Sequence, residues 1–158
     1  MPPCLMKGMI LIMAAEYSYI PVQTVAEDEN ILFLSGGRAC KKGYVTHRDS
    51  SGVFRLKGAT NTCKAIYRVH FKANIAVAPA DDGGVLGPIS VALQEDGETL
   101  GNALAEVTPA AIGNYFNVSI MTLVVVPCGC CVTLSVENTS DGTAIDVRNA
   151  NIIIDRIA

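Results

Sequence analysis

Residues 63–77 read CKAIYRVHFKANIAV, and this stretch decides the fold. Cys63, Ala65, Tyr67, Val69, Phe71, Ala73, Ile75 and Val77 occupy every second position, and Lys64, Arg68, His70, Lys72 and Asn74 fall between them. Successive side chains of an extended chain point to opposite sides, so a period of two predicts a β-strand with one buried and one polar face. A helix would need apolar residues at spacings of three and four, and no segment of this chain shows such a stripe.

The same alternation recurs on both sides of this strand, broken at short intervals by Gly, Asn, Asp and Pro. Upstream, VQTVAEDENILFL (22–34) and GYVTHRDSSGVFRLKG (43–58) give further strands, the second interrupted by a turn at Asp49–Gly52. Downstream, APADDGGVLGP (78–88) is a loop. ISVALQEDGETLGNALAEVTP (89–109) then reads as a strand, a turn at Asp96-Gly97 and a second short strand. YFNVSIMTLVVV (115–126), VTLSVEN (132–138) and AIDVRNANIIIDRI (144–157) complete the series. Roughly eight to ten strands with no linker predict an all-β, two-sheet antiparallel sandwich or jelly roll.

Composition agrees. The 158 residues are half apolar, with no Trp and 6% aromatics, so the core is built from Val, Ile, Leu and Ala, which favour strands. A chain of this length buries a full core as one domain. The net charge of −3, with no basic patch, speaks against nucleic acid as a partner. Met9–Ala15 is an apolar run too short to span a membrane, behind a single Lys7. Residues 1–16 are therefore expected to be an N-terminal arm that packs on a neighbouring subunit, or an upstream extension, and 17–158 the sandwich domain.

The strand at 115–126 departs from simple alternation. Phe116, Val118, Ile120, Val124 and Val126 form one face, but Met121, Leu123 and Val125 make the end of the other face apolar too. A strand apolar on both sides in a small sandwich predicts that its outer face meets another subunit, the alternative being a long loop folded over it.

The succession AIYRVHFKANIAV, ISVALQEDGETL, YFNVSIMTLVVVPCGCCVTLSVEN and NANIIIDRI resembles the C-terminal half of C1q/TNF-like jelly rolls. The bacterial and phage versions are most similar, such as the globular heads of collagen-like spore-surface proteins. So are small Firmicutes and phage proteins with the opening seen here at Tyr19–Phe33. No Gly-x-y repeat is present, which separates the chain from the collagen-like stalks. The resemblance implies a compact homotrimer that assembles through one sheet, with the terminal strand at the sheet centre. It implies a non-enzymatic structural or receptor-binding component exposed on a virion, spore or bacterial cell surface, without cofactor or membrane insertion. Association would bury Met121, Leu123, Val125 and the Ile152 and Ile154 side chains. A subunit of an extended filament or shell, locked by its arm and by disulfides, and a carbohydrate-binding module are the alternatives.

Chemistry-bearing residues are few. Pro127-Cys128-Gly129-Cys130-Cys131 is expected to be a sulfur-rich hairpin turn, with Gly129 supplying a permissive backbone position. Zinc needs four ligands, usually from Cys-x-x-Cys pairs or His, and neither His47 nor His70 has ligand spacing, so no metal site is expected. A thioredoxin-like centre needs its Cys-x-x-Cys at a helix N-terminus. Cys40, Cys63, Cys128, Cys130 and Cys131 are left as disulfide partners or as thiols serving as small apolar residues. No nucleophile sits beside a His with an orienting acid, so no catalytic residue is assigned. Arg68, His70 and Lys72 form a solvated strip, or else a recognition face for an acidic partner or glycan. Asp81 and Asp82 lie in an exposed loop that lacks the alternating ligands of a calcium loop and is a candidate for recognition. The sequons at Asn117 and Asn138 are set aside.

Overall fold

The computed structural model describes residues 14–34, 44–58, 64–129 and 131–158. They form ten strands, and a 3-10 turn at Ala80–Asp82 is the one helical element among them. In chain order the strands are β1 (Ala14–Tyr19), β2 (Gln23–Val25), β3 (Val45–His47), β4 (Val53–Lys57), β5 (Lys64–Val77), β6 (Ile89–Glu95), β7 (Glu98–Val107), β8 (Phe116–Pro127), β9 (Cys131–Asn138) and β10 (Ile145–Arg156).

Two antiparallel sheets face each other. Sheet one has the order β1-β10-β5-β8, with β2 continuing along β10 below β1, and sheet two has the order β3-β4-β9-β6-β7. From β4 to β6, and again from β7 to β10, the chain alternates between sheets, the winding of a jelly roll. The C-terminal strand lies between β1 and β5, inside sheet one.

The alternation in 63–77 is realised as β5. Ala65, Tyr67, Val69, Phe71, Ala73, Ile75 and Val77 are buried between the sheets, each at most 1% exposed. They meet Phe54 and Leu56 from β4, Val132, Leu134 and Val136 from β9, and Ile89, Val91 and Leu93 from β6. An aromatic chain runs through this core: Tyr17 on Phe54 at 5.0 Å, Phe54 on Phe33 at 5.4 Å, Phe33 edge-on to Phe71 at 6.3 Å. His47, half-buried, joins it. Its ring stacks on Phe54 at 4.5 Å, and its Nε2 is 2.8 Å from the Ser51 carbonyl, which can only accept, so Nε2 carries the proton.

Four expectations are corrected. Residues 14–16, placed in the arm, belong to β1: Ala14, Ala15 and Glu16 pair with Asp155, Ile154 and Ile153. The Cys-rich turn is not a hairpin, because β8 pairs with β5 in sheet one whereas β9 pairs with β4 and β6 in sheet two. The chain therefore crosses from one sheet to the other after β8, with Gly129 at φ 72°. The second strand after Asp96-Gly97 is not short; β7 runs for ten residues.

The fourth correction concerns Ile152 and Ile154. Both are fully buried in the protomer's own core and present nothing to a neighbour. The cause is an irregularity in β10 between Arg148 and Asn151, where Asn149 adopts φ 55°. Before it the odd residues Ile145 and Val147 point inward; after it the even residues Ala150, Ile152 and Ile154 do. One extra residue inverts the faces of everything that follows.

Candidate functional site

Since β5 and β8 both alternate, their registers fix what stands on the outer face of sheet one. Leu123 lies opposite Arg68, Met121 opposite His70, Val125 opposite Ile66 and Ser119 opposite Lys72. The rows continue on β10, with Asp155 opposite Arg68, Ile153 opposite His70 and Asn151 opposite Lys72. Next to Ile66, Ile157 donates its backbone N–H to the Ile66 carbonyl at 2.9 Å.

The face is divided along the strands. Towards the chain end Met121, Leu123, Val125 and Ile157 project into solvent, 66, 58, 47 and 48% exposed, with Ile66 and Ile153 between them. Towards the other end three amides form a ladder across the sheet. Asn117 Nδ2 donates to Asn74 Oδ1, and Asn74 Nδ2 donates to Asn149 Oδ1, each at 3.2 Å. Within the apolar half itself, Arg68 in the Leu123 row pairs with Asp155 at 2.7 Å, and His70 in the Met121 row has its Nε2 2.9 Å from Ser119 Oγ. An exposed pair of this kind contributes little to stability. A contiguous exposed apolar patch on the edge strand β8 is the informative feature, because soluble monomers rarely leave one open.

A second exposed apolar group was not foreseen in the sequence. Ile20, Val22, Leu32 and Leu34 are exposed along the opposite, β1–β2, edge of the same sheet. Gln23 holds this edge in place: its Nε2 donates to the Leu32 carbonyl and its Oε1 accepts from the Leu32 N–H. Leu34 bridges to Ser18 of β1. The signal was present as isolated apolar residues, but their exposure depends on which side of a strand two or three residues long they fall.

Structure and sequence differ on how the candidate residues group. Arg68, His70 and Lys72 share their face with Met121, Leu123 and Val125 in direct register, so a subunit covering the apolar residues also covers the basic strip. Interface and recognition cannot both occupy this face. Asp81 and Asp82 are exposed in the 3-10 turn at the far end, where no ligand set of three or more His, Cys, Asp or Glu forms among the described residues. Cys128 and Cys131 are exposed, and Arg55 Nη2 lies 3.1 Å from Cys131 Sγ. No disulfide is present among the described residues, and Cys40, Cys63 and Cys130 lie outside them.

The loop end of the sandwich is tied by polar groups. Asn138, fully buried, donates from Nδ2 to the carbonyls of Val25 (3.1 Å) and Thr143 (3.0 Å) and accepts the Ser140 N–H at Oδ1 (3.0 Å). Nearby, burial pushes the Glu137 carboxyl above its ordinary value, opposed by a hydrogen bond from Gln94 and reinforced by Asp28. Towards the opposite end, burial and then the adjacent Asp96 raise Glu95.

No helix among the described residues is long and apolar enough to cross a membrane. No protein-family model matches the sequence, and no curated protein matches it. Solved structures do resemble it. An Eiger TNF from S. frugiperda superposes with a TM-score of 0.64 at 14% identity, over 93% of each chain. Murine APRIL at pH 5.0 gives 0.61 at 9% identity, over 91% of this chain and 99% of the other. The globular domain of a zebrafish complement 1qA protein gives 0.53 at 9% identity, over 91% and 94%. The sheet orders and these superpositions agree that the chain folds as a TNF/C1q-like jelly roll.

Proposed function

We propose that this protein is a non-enzymatic jelly-roll module that assembles as a homotrimer and serves as a structural or receptor-binding component of an outer surface: a phage virion, a spore or a bacterial cell. The observation that carries the reading is the pair of unlike apolar edges on sheet one, Met121, Leu123 and Val125 on β8 and Ile20, Val22, Leu32 and Leu34 along β1–β2. Two different patches on one protomer favour heterologous contacts, which close into a ring when the rotation permits. The number three comes from the resemblance to C1q/TNF-like modules. With the outer face of sheet one enclosed, recognition falls to the surfaces that stay outward, among them the Asp81–Asp82 turn.

Light scattering on a size-exclusion column, without reductant, tests this directly. A mass near three times the 16.7 kDa of the chain is expected. Leu123→Asp places a charge within the interface and is expected to give a monomer with unchanged far-UV circular dichroism. A wild-type monomer at all concentrations, or an unaltered oligomer in the variant, overturns the assignment.

A further inference from the structure

The outer face of sheet two carries a groove that the proposed assembly leaves open. Thr46, His47, Arg48, Val53 and Arg55 line it, and it encloses about 500 Å3 while remaining open to solvent along its length. Thr46 lies directly opposite Arg55 in the β3–β4 ladder, and Lys57 is one step further along the same side of β4, about 7 Å away along a strand. No carboxylate among the described residues lies within ion-pair distance of Arg48, Arg55 or Lys57. The acid nearest in register is Asp96, and its Oδ1 already accepts both the N–H and the hydroxyl of Thr133, the residue beside Arg55. Arg55 is instead held by the Cys131 sulfur at 3.1 Å. The His47 ring faces the other way, stacked on Phe54 of the inner row with its Nε2 on the Ser51 carbonyl.

We propose that this groove binds an acidic saccharide, a sugar chain bearing sulfate or carboxylate groups, with Arg48, Arg55 and Lys57 contacting successive anionic groups, Thr46 a ring hydroxyl and Val53 an apolar ring face. Three cations without a carboxylate partner among the described residues, in a chain of net charge −3, create a local field of the opposite sign to the whole. No described residue lining the groove offers an exposed aromatic ring, which disfavours neutral sugars and single-stranded nucleic acid, because both rely on stacking. Its shallow, open form suits a chain rather than an enclosed small molecule.

The test is calorimetric titration with a heparin-derived tetrasaccharide over a range of salt. Its desulfated counterpart and an oligothymidylate of equal charge run in parallel. Arg48→Gln with Arg55→Gln is expected to weaken tetrasaccharide binding by about tenfold or more and to lower the salt slope by about two, one for each cation lost. Lys72→Gln with Arg148→Gln removes the same charge from sheet one and is expected to change affinity less than about threefold. Unchanged melting curves establish that both double variants fold. The proposal is overturned if wild type fails to bind the tetrasaccharide at low salt, or if both double variants lose affinity equally. It is also overturned if the desulfated sugar or the oligothymidylate binds as tightly as the sulfated one.

Discussion

Asn138→Ala tests how the loop end of the sandwich is held. The side chain is wholly enclosed, and its three hydrogen bonds reach Val25 at the end of β2 in sheet one and Ser140 and Thr143 in the β9–β10 connection. All three partner residues are themselves at most 3% exposed. Truncation to Ala leaves two carbonyls and one N–H without the groups that satisfied them. A buried polar group stripped of its partner costs about 1–3 kcal/mol. With one of the three regaining a partner by small movements, two remain and the sum is about 2–6 kcal/mol. For a domain of this size that corresponds to a fall in Tm of about 4–24 °C. The assay is urea unfolding at fixed protein concentration, since assembly shifts apparent stability. The midpoint is expected to fall with the m-value unchanged, which marks a change in stability rather than in compactness. A loss below about 1 kcal/mol would refute the reasoning and mean that a water molecule takes over the bonds. Asn138→Asp sharpens the test, because it keeps an acceptor for Ser140 but turns a carboxylate towards two carbonyls. That carboxyl has its folded-state pKa raised, so the penalty is present at neutral pH and relieved as pH falls through it.

Two further outcomes follow from the same structure. A Cβ on Gly84 would stand 1.6 Å from the Ala78 carbonyl oxygen, so Gly84→Ala must displace backbone and is expected to cost at least about 2 kcal/mol in urea unfolding, whereas Gly97→Ala, with open space but φ 81°, costs about 1–2. Glu95 and Glu137 both have folded-state pKa values raised above 4.5, so the folded chain favours their protonated forms; their contribution is present at low pH and lost as pH rises through the raised values, and Tm is expected to rise as pH is lowered from neutral towards 5, a rise that Glu95→Gln with Glu137→Gln flattens.

The core was legible in the sequence wherever a strand was long and one-sided. In β5 every residue assigned inward from Ala65 to Val77 is buried, because fourteen residues of alternation leave no doubt about phase. In β8 Val118, Ile120, Val124 and Val126 likewise face the core, while Phe116 at the strand's start does not. Phase was lost where backbone geometry changes without a residue that announces it. Three consecutive isoleucines in β10 fit either face, and the inversion at Asn149 decides between them. The signal was a mismatch of parity between Ile145-Val147 and Ile152-Ile154. Topology was hidden in a different way. Pro-Cys-Gly-Cys between two strands suits a hairpin or a crossing equally, and only the pairing of β9 with β4 and β6 settles it. Asn138 was read as a sequon, whereas its role depends on carbonyls 113 and 5 residues away in the chain. Arg48, Arg55 and Lys57 formed no basic run because alternation spaces them among inward residues; folding gathers them on one face.

Both inner faces of the sandwich are occupied by the same apolar core, so they cannot distinguish one sheet from the other in function. The outer faces differ in kind. Sheet one presents apolar residues at both edges and an amide ladder across it, with the Arg68–Asp155 ion pair satisfied within the protomer, a surface suited to contact with protein. Sheet two presents cations without carboxylate partners among the described residues beside an open groove, a surface that stays favourably hydrated until an anion arrives. The difference predicts an order of sensitivity to salt. Assembly through sheet one rests on area removed from water and should survive, or strengthen with, added salt, whereas ligand binding on sheet two should weaken steeply with it. A single salt series read by light scattering and by titration therefore separates the two surfaces, and parallel weakening of both would show that one face performs both tasks.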